Sequence, residues 1–261
     1  MRIAVITGAS SGMGREFLKR VAREQRVDEI WAIALEEDKL KELNSEVDTK
    51  LRLFPCDLTD RKSLEKIRAE LDKEKPSILW LVNASGFGKF GRYDEIPVES
   101  TLNMIDLNVY ALVALTEYCL PYMEKGGRIV EFGSVAAFQP IPYINVYGAT
   151  KAFVLNYSLA LGVELKNRGV SVTCICPFWT KTNFFNRAVD PRNAVVTKYA
   201  AMYKPEDVMN RAYRDALKRK SVSMFGAYSK FQKFLVDIMP RKWVMHFWVK
   251  QQKLDKKYKD K

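Results

Sequence analysis

Short apolar runs alternate with longer amphipathic stretches over the first 220 residues of the chain. The apolar runs predict seven strands, the last of them weak, at Ile3–Thr7, Ile30–Ala34, Leu51–Phe54, Ile78–Val82, Arg128–Gly133, Val170–Cys176 and Ser221–Phe225. The amphipathic stretches predict helices at Gly14–Arg26, Lys39–Glu46, Arg61–Lys73, Ser100–Met123 and Asn145–Arg168. Because strands that are apolar on both faces need cover on both faces, we expect an α/β fold with a doubly wound parallel sheet.

No segment rich in Pro, Gly or Ser divides this pattern, so we expect one domain over residues 1–226. Residues 182–220 break the alternation and carry several aromatic side chains. In an open α/β sheet, an insertion after a late strand falls over the carboxyl ends of the strands, where ligands bind. The sequence therefore predicts a substrate lid at about residues 183–204 and, beyond it, a basic amphipathic helical tail at residues 227–261.

The positive charge of the chain is concentrated in that tail. The chain has 43 Lys and Arg against 31 Asp and Glu, a formal charge of +12. From Ser221 onward ten Lys and Arg stand against three Asp, so more than half of the excess lies there. No base-reading or stacking module accompanies the charge, and we expect no nucleic-acid partner. The tail has three interpretations: packing over a pocket or a second subunit, lying on an anionic membrane surface, or remaining solvated.

Histidine and cysteine usage narrows the chemistry. His246 is the one histidine, which excludes Ser-His-Asp hydrolysis and multi-histidine zinc sites. The cysteines at positions 56, 119, 174 and 176 form no CxxC pair, so reduced structural thiols are favoured over a redox or metal role, and no metal site is expected. No signal segment precedes the first strand, and the apolar runs are shorter than a membrane span. A cytoplasmic location follows, with the tail as a possible peripheral membrane contact.

A glycine-rich segment follows the first predicted strand and opens the first helix. Residues 7–14 read TGASSGMG, and glycines here allow a tight turn and a close approach of backbone amides to a pyrophosphate. By themselves, the three glycines of this segment also fit an ordinary turn. Its place at the first strand-to-helix junction of an α/β chain favours dinucleotide binding. The expected contacts are Gly8, Ser10, Ser11, Gly12, Met13 and Gly14.

Tyr147 and Lys151 are four residues apart in a predicted helix and so share one face. A phenol titrates near ~10 in water, and a neighbouring ammonium together with a cationic nicotinamide would lower that pKa toward the range of a proton shuttle. An ordinary surface pair is the alternative. Ser134 ends the fifth predicted strand, where its hydroxyl could bond a carbonyl oxygen beside the phenol. No base is paired with Ser134, which disfavours nucleophilic catalysis.

These motifs together resemble the short-chain dehydrogenase/reductase family, in its compact single-domain branch, and are similar to its hydroxysteroid dehydrogenases. The resemblance rests on TGASSGMG, Asn83-Ala-Ser-Gly86, Asn108 in LNVYA, Ser134 and Tyr147-Gly-Ala-Thr-Lys151, and it covers residues 1–183 in order and spacing. It implies a Rossmann-type fold with NAD or NADP as cofactor. It also implies that Tyr147 is the general acid or base, that Lys151 lowers the pKa of Tyr147 and binds the ribose, and that Ser134 donates to the substrate oxygen.

The resemblance assigns supporting residues as well. Asn108 resembles the residue that distorts its helix and holds a water linking the lysine to solvent, and Asp57 resembles the residue at the adenine edge. Further cofactor contacts are implied at Leu58, Asn83, Ala84, Ser85, Pro177, Thr180 and Thr182. The family's usual Pro-Gly after the sixth strand is Pro177-Phe178 here. We expect Phe178 and Trp179 to narrow or line the substrate pocket, with simple core packing as the alternative.

The end of the second predicted strand favours NAD over NADP. Glu36 lies 22 residues beyond Gly14, close to the spacing of an acid that bonds a ribose 2′-hydroxyl, and with Glu37 it would repel a 2′-phosphate. Ser11 stands where many NADP-dependent relatives carry a basic residue. Alternatively, Glu36 and Glu37 only interact favourably with the dipole of the helix that follows, and have no role in cofactor selection. Lys39 could also turn toward a 2′-phosphate.

Aromatic residues dominate the predicted pocket rim, which favours a steroid, bile acid or acyl carbonyl over a small sugar. The rim comprises Phe87, Phe90, Phe138, Tyr143, Phe178, Trp179, Phe184, Phe185 and Tyr203. We therefore expect hydride transfer between a nicotinamide and a lipophilic ketone or secondary alcohol. A non-catalytic dinucleotide sensor or scaffold is the alternative. Chemistry on a nucleotide sugar is a third interpretation, which is disfavoured because it would bring a longer C-terminal domain. The helices at Ser100–Met123 and Asn145–Arg168 resemble those that pair subunits in the family, which implies a homodimer or homotetramer.

Overall fold

The computed structural model describes residues 1–24 and 26–258, so Gln25 in the first predicted helix and residues 259–261 of the predicted tail lie outside the described part. All seven predicted strands are present and pair in parallel. They are β1 Arg2–Thr7, β2 Glu29–Ala34, β3 Lys50–Pro55, β4 Ser77–Asn83, β5 Met123–Phe132, β6 Ser171–Ile175 and β7 Val222–Ser223. With helices on both faces of this sheet, the predicted doubly wound, Rossmann-type fold is confirmed.

The strands follow the order β3-β2-β1-β4-β5-β6-β7 across the sheet. The last residue of β1, Thr7, lies opposite Ile33 of β2 and Asn83 of β4. Connections leave β1 and β4 in opposite directions across the sheet, which opens a crevice at their carboxyl ends. Open α/β sheets bind ligands at this position.

Helices cover both faces of the sheet and continue beyond β7. They are α1 Gly12–Arg23, α2 Glu37–Glu42, α3 Arg61–Glu74, α4 Val98–Ile105, α5 Leu112–Cys119, α6 Asn145–Glu164, α7 Phe184–Ala188, α8 Pro205–Leu217, α9 Ala227–Ile238, α10 Arg241–Gln251 and α11 Leu254–Lys257. Short 3₁₀ turns lie at Leu43–Ser45, Leu120–Tyr122, Val135–Phe138 and Lys166–Arg168. Within residues 1–24 and 26–258, no helix has both the length and the apolar character that crossing a bilayer requires.

The predicted helix Ser100–Met123 is not continuous. Between α4 and α5 the chain forms a π-helical turn at Asp106–Ala111, and Met123 already begins β5. Within the turn, Asn108 Oδ1 accepts from the Phe87 amide at 3.0 Å and Asn108 Nδ2 donates to the Phe87 carbonyl at 2.8 Å. A π-helical turn is a single-turn feature inside a helix, and the apolar spacing of Ser100–Met123 did not reveal it.

A regular helix, α8, lies in the segment for which the sequence predicted no regular structure. It begins with Pro205 at its first turn, followed by Glu206 and Asp207, which suit a helix N-terminus. The Tyr213 ring stacks on Trp80 of β4 with centroids 5.3 Å apart, so α8 covers the sheet beside α1. The irregular part of the segment therefore ends at residue 204, at the predicted end of the lid.

The tail folds back over the lid segment. Trp248 Nε1 donates to the Pro142 carbonyl at 2.9 Å. The Gln252 carboxamide bonds the lid backbone in both directions: Oε1 accepts from the amides of Thr197 and Lys198 at 2.9 and 3.0 Å, and Nε2 donates to the Lys198 carbonyl at 2.9 Å. The described part of the tail is thus packed, which contradicts the solvated interpretation.

Candidate active site

A cavity of about 440 Å³ lies over the carboxyl ends of the strands. Its volume is within the range of ~300–1,000 Å³ that is typical of ligand pockets. We call the lining residues at positions 8–39 and 84–86 the nucleotide half, and those at positions 178–251 the lid half. Ser134, Tyr147 and Lys151 line the same cavity.

The glycine loop of the nucleotide half has no space for side chains. A Cβ on Gly14 would lie 2.2 Å from the Gly8 carbonyl oxygen, and a Cβ on Gly8 would lie 2.9 Å from the Ala84 carbonyl carbon. Gly8 and Gly12 also have φ of 64° and 54°, in the left-handed region that glycine adopts without strain. Ser11 precedes α1 in extended conformation, and its side chain does not cap the helix. This close backbone loop at a helix N-terminus fits a dinucleotide pyrophosphate.

Glu36 lines the nucleotide half between two hydrogen-bond donors. Ser10 Oγ donates to Glu36 Oε2 at 2.8 Å, and Lys39 Nζ donates to Glu36 Oε1 at 3.0 Å. These two hydrogen bonds hold the pKa of Glu36 below its usual value, and the bond from Lys39 has the larger effect. The carboxylate is therefore ionised at neutral pH and available as an acceptor for a hydroxyl group.

Tyr147 lies on α6 and lines the cavity. Burial raises the pKa of Tyr147 to about 12, while a hydrogen bond with Ser134 acts in the opposite direction. Among the protein groups, desolvation of the phenolate therefore outweighs its polar neighbours, and the lowering expected with a cationic nicotinamide stays a prediction. The backbone amide of Ala136 donates to Ser134 Oγ at 3.1 Å and fixes the hydroxyl. At neutral pH the phenol carries its proton.

Lys151 faces Tyr147 from the next turn of α6. Its Nζ lies 5.8 Å from the centroid of the Tyr147 ring and donates to the Phe132 carbonyl at 2.6 Å. Burial lowers the pKa of Lys151 to about 8, so the ammonium is still the main form at neutral pH. A Cβ on Gly86 would lie 3.5 Å from this Nζ and 2.9 Å from Asn108 Oδ1, so Gly86 is packed directly against both groups.

Asn108 supports the site from outside the cavity lining. It is 1% exposed, and its Nδ2 donates to Thr150 Oγ1 at 3.1 Å as well as to the Phe87 carbonyl. Thr150 is the neighbour of Lys151 on α6, and Phe87 lines the cavity. Asn108 therefore ties the loop after β4 to the helix that carries Tyr147 and Lys151.

A buried carboxyl group that sequence reasoning missed lies beside Asn83. Glu131 of β5 is fully buried, and its Oε1 accepts from Asn83 Nδ2 and Thr116 Oγ1, each at 3.1 Å. Burial raises the pKa of Glu131 to about 7 against these two hydrogen bonds. A glutamate inside the apolar strand sequence RIVEF was an available signal, because carboxylates are seldom fully buried without a specific partner.

Three predicted cofactor residues lie outside the cavity lining. Asp57 Oδ1 accepts from the Thr59 amide and hydroxyl, both at 2.8 Å, and so stabilises the turn before α3. Leu58 is buried in the core on one face of the sheet. Asn83 is 3% exposed and bonds Thr116 and Glu131. The remaining predicted cofactor residues line the cavity: Gly8, Ser10, Ser11, Gly12, Met13, Gly14, Glu36, Ala84, Ser85, Tyr147, Lys151, Pro177, Thr180 and Thr182.

The predicted substrate residues divide in the same way. Phe87, Phe178, Trp179 and Phe184 line the cavity, as do Phe90 and Phe185 of the predicted rim. The rings that do not line the cavity are held elsewhere: Phe138 packs under Lys233 Nζ at 4.8 Å, Tyr143 stacks on Tyr258 at 4.9 Å, and Tyr203 packs against Phe225 at 5.1 Å.

The tail contributes lining residues that sequence reasoning did not find. They are Tyr228, Gln232, Trp248 and Gln251. The lid adds two cationic side chains, Arg187 and Lys198, and the Arg187 guanidinium lies 3.8 Å from the centroid of the Phe87 ring. Residues so distant in sequence from the motifs gave no local signal, since only the folded tail brings them to the cavity.

The cysteines lie outside the cavity lining. Cys174 and Cys176 are buried free thiols on β6 and just beyond it, with their sulfurs 3.8 Å apart. Within the described residues, no group of three or more His, Cys, Asp or Glu side chains is arranged to hold a metal ion.

Known proteins are similar to this chain in both sequence and fold. The family model for short chain dehydrogenase matches residues 2–193. Sulfoacetaldehyde reductase 2 of Chromohalobacter salexigens is 34% identical over 191 residues, 70% of this chain and 74% of that protein. A short-chain dehydrogenase from Sphingobium yanoikuyae in complex with NADPH has a TM-score of 0.76 at 26% identity, with 94% and 96% of the two chains covered. The bulky-bulky ketone specific alcohol dehydrogenase from Comamonas testosteroni has a TM-score of 0.72 at 25% identity, with 92% and 96% covered. The chain therefore belongs to the short-chain dehydrogenase family.

Proposed function

We propose that this chain transfers a hydride between NAD(H) or NADP(H) and a lipophilic ketone or secondary alcohol, with reduction as the favoured direction. The observation that carries the proposal is the position of Tyr147. Its side chain is partly buried, its phenol is hydrogen-bonded with Ser134, and it lines the cavity that also contains the nucleotide half and the lid half. A sensor or scaffold that only binds a dinucleotide has no need of this phenol beside an ammonium group.

Tyr147 is suited to donate a proton in the reduction. With a pKa of about 12 it holds its proton at neutral pH, and a carbonyl oxygen that gains negative charge is a strong enough base to take it. The Ser134 hydroxyl, bonded with the same phenol, is placed to donate a second hydrogen bond to that oxygen. When bound, the nicotinamide supplies the hydride for the carbonyl carbon.

Lys151 favours the phenolate that remains after the proton has left. Its ammonium faces the Tyr147 ring from inside the protein, where a positive charge is poorly screened. The hydrogen bond to the Phe132 carbonyl holds Nζ in this position. Asn108 is a positioning residue, since it acts through Phe87 and Thr150 and does not line the cavity.

The nucleotide half would hold the dinucleotide. The loop from Gly8 to Gly14 offers backbone amides for the pyrophosphate, and Glu36 offers an ionised carboxylate for a ribose hydroxyl. A carboxylate at this place favours NAD over NADP, although it is paired with Lys39. Glu36→Gln is expected to raise the kcat/KM ratio of NADPH over NADH about tenfold or less, as loss of one charge repulsion allows. Equal ratios before and after the change would refute this role, and Glu37→Gln, whose carboxylate pairs with Lys41, is the matched control.

The lid half supports a large apolar substrate such as a steroid, bile acid or acyl carbonyl. Phe178, Trp179, Phe184 and Trp248 belong to it, and aromatic walls of this kind bind apolar bodies by burial of surface. The name of the Comamonas relative, a bulky-bulky ketone specific alcohol dehydrogenase, agrees with this substrate class.

A carbonyl compound with an anionic group is a second candidate substrate. Arg187 and Lys198 both line the lid half, and neither forms an ion pair with another described residue. Two cations beside the aromatic side chains of this half favour a carboxylate or sulfonate at one end of the substrate. The Chromohalobacter relative is named for sulfoacetaldehyde, which carries such a group.

A panel of carbonyl compounds distinguishes these candidates. The purified full chain is incubated with ketosteroids, bile acid ketones, long-chain ketones and sulfoacetaldehyde, each with NADH and with NADPH, while the absorbance of the reduced nicotinamide is followed. We expect the highest kcat/KM for a large apolar ketone. Turnover restricted to small anionic carbonyls would select the second candidate, and dinucleotide binding without turnover of any compound would revive the sensor.

We extend the proposal to the lid and to subunit pairing. Residues 183–204 act as the substrate lid, because they supply Asn183, Phe184, Phe185, Arg187, Lys198 and Ala200 to the cavity. Val98, Leu102 and Val163 are 66%, 54% and 74% exposed on α4 and α6 and support a subunit interface there. A homodimer or homotetramer is the expected assembly, and its dissociation on placing Lys at Leu102 or Val163 would test it by light scattering.

A further inference from the structure

The last two long helices of the chain expose a row of large apolar side chains. Phe231, Phe234 and Ile238 on α9 and Trp243 and Phe247 on α10 are each between 58% and 62% exposed. Spacings of three and four residues place the members of each helix on one side of that helix. We call these five residues the tail face.

The tail face is exposed although the tail itself is packed. On the inner side of α10, Val244 is 8% exposed, and Leu254 of the following helix α11 is 1% exposed. The bonds from Trp248 to Pro142 and from Gln252 to the lid backbone hold α10 against the body of the protein. The inner side of α10 is therefore already occupied, and its outer side remains without a partner in the described chain.

Basic residues accompany the tail face. Residues 227–258 contain eight Lys and Arg against two Asp. Arg241, Lys242 and Lys250 are exposed, and none of them forms an ion pair with a described residue. Cationic side chains without ion-pair partners, beside exposed aromatic rings, are complementary to a partner that has an apolar interior and a negatively charged outer layer.

A second exposed apolar surface, on α4 to α6, has a different charge. Val98, Leu102 and Val163 are exposed there, but the segments Val98–Cys119 and Asn145–Glu164 contain one cationic residue, the buried Lys151. Their other charged residues are Glu99, Asp106, Glu117 and Glu164. That surface suits another protein subunit, whereas an anionic lipid surface would be repelled by its carboxylates.

We propose that the tail face docks on an anionic lipid bilayer. Its phenylalanine, isoleucine and tryptophan side chains enter the boundary between headgroups and acyl chains, where tryptophan is favoured, and the neighbouring Lys and Arg bind the phosphate groups. Apolar insertion and electrostatic attraction act together here, and stable attachment to a membrane requires two such contributions.

Docking would bring the substrate cavity close to the bilayer. Tyr228, Gln232 and Trp248, on the same two helices as the tail face, line the lid half. A lipophilic ketone dissolved in the membrane would then reach the cavity without crossing bulk water. This consequence rests on the proposed function, whereas docking itself does not.

The test uses the full chain with two kinds of vesicle, pure phosphatidylcholine and phosphatidylcholine mixed with phosphatidylglycerol. We expect cosedimentation only with the anionic vesicles, and a loss of binding at about 0.5 M salt, where electrostatic attraction is screened within a few Å. A variant with Ser at Phe231, Phe234, Trp243 and Phe247 is expected to lower the bound fraction at least tenfold. A second variant with Gln at Arg241, Lys242 and Lys250 is expected to bind anionic vesicles several-fold more weakly.

The matched control removes apolar area from the other surface. A variant with Ser at Val98, Leu102 and Val163 should bind vesicles as the unaltered chain does, and circular dichroism melting of every variant checks folding without relying on activity. The docking proposal is overturned if the unaltered chain does not cosediment with anionic vesicles. It is also overturned if the tail-face variant converts an oligomer to a monomer in light scattering while vesicle binding stays unchanged, since a second copy of the chain then covers the face. Vesicle binding without turnover of any carbonyl compound would refute the proposed function and leave docking intact.

Discussion

The nucleotide half and the lid half of the cavity are constructed differently. In the nucleotide half, backbone and small residues at the strand ends approach so closely that a Cβ on Gly8 or Gly14 would meet main-chain atoms. In the lid half, large side chains from α7, α9 and α10 form the wall, and the carboxamide of Gln252 bonds the lid to the tail. The first half depends on the absence of side chains and the second on their presence. We expect the nucleotide half to accept few substitutions and the lid half to accept many.

The largest effect is expected at Tyr147, which lines the same cavity as both halves. Tyr147→Phe removes the proton donor, and kcat/KM should fall roughly 100-fold to 10,000-fold. The ring contacts with Phe90 and Phe184, at 5.8 and 5.5 Å between centroids, are kept. Melting temperature and dinucleotide affinity, measured by fluorescence titration, should therefore change little. Turnover that survives this substitution undiminished would contradict the mechanism.

The next largest effect is expected in the glycine loop. Gly14→Ala places a Cβ 2.2 Å from the Gly8 carbonyl oxygen, so the loop must move, and dinucleotide affinity should fall about 10-fold to 100-fold at a typical overpacking cost of ~1–3 kcal/mol. Gly162→Ala is the matched control, because its Cβ would lie 3.5 Å from Val172, an ordinary contact. If both variants bind the dinucleotide like the unaltered chain, the supposed intolerance of the nucleotide half is incorrect.

A pH effect is expected from Glu131, beside the nucleotide half. Its folded pKa of about 7 is above the ordinary value of 4.5, so the folded state holds an extra proton between these values. The contribution of Glu131 to the free energy of unfolding should therefore be highest below pH 4.5 and should fall as the pH rises from there to 7. Glu131→Gln removes this loss, and at pH 8 it should stabilise the protein by about 3 kcal/mol. Urea unfolding at pH 5 and pH 8 measures the difference, and Glu99→Gln, an exposed site, should show none.

The smallest effect is expected in the lid half. Gln252→Ala removes three hydrogen bonds to the lid backbone, and KM should rise about fivefold while kcat stays within twofold, the size of ~1 kcal/mol in net hydrogen bonding. Lys250→Ala, on an exposed position of α10, is the control. A Gln252 effect as large as that of Tyr147 would show that the lid half is no more tolerant than the nucleotide half.

Strands and the nucleotide half were predictable because both depend on short sequence segments. All seven strands come from local apolar runs, and the glycine loop lies within eight residues of one strand-to-helix junction. The π-helical turn at Asn108 was not predictable from periodicity. Neither was α8, whose 13 residues pack through Tyr213 on a ring from a distant strand.

The lid half was only partly predictable, because contacts between distant segments decide which rings reach the cavity. Phe178 and Trp179 follow β6 directly and line the cavity as expected from their place. Phe138 and Tyr143 lie as near to the motifs in sequence, but contacts with Lys233 and Tyr258 of the tail hold them away. Burial of Tyr147 likewise set its pKa against the expectation from charge alone.

The Gln252 carboxamide couples the attachment of the tail to the position of the lid backbone. One side chain offers the lid both an acceptor and a donor, as a neighbouring strand would, and so it serves as a surrogate peptide group for residues 197–198. Whatever fixes the tail then fixes the lid, and thermodynamic reciprocity requires the converse by the same factor. If residues 183–204 act as the proposed substrate lid, a bound substrate that holds them in place would strengthen the attachment of the tail to the same degree as a fixed tail would strengthen substrate binding.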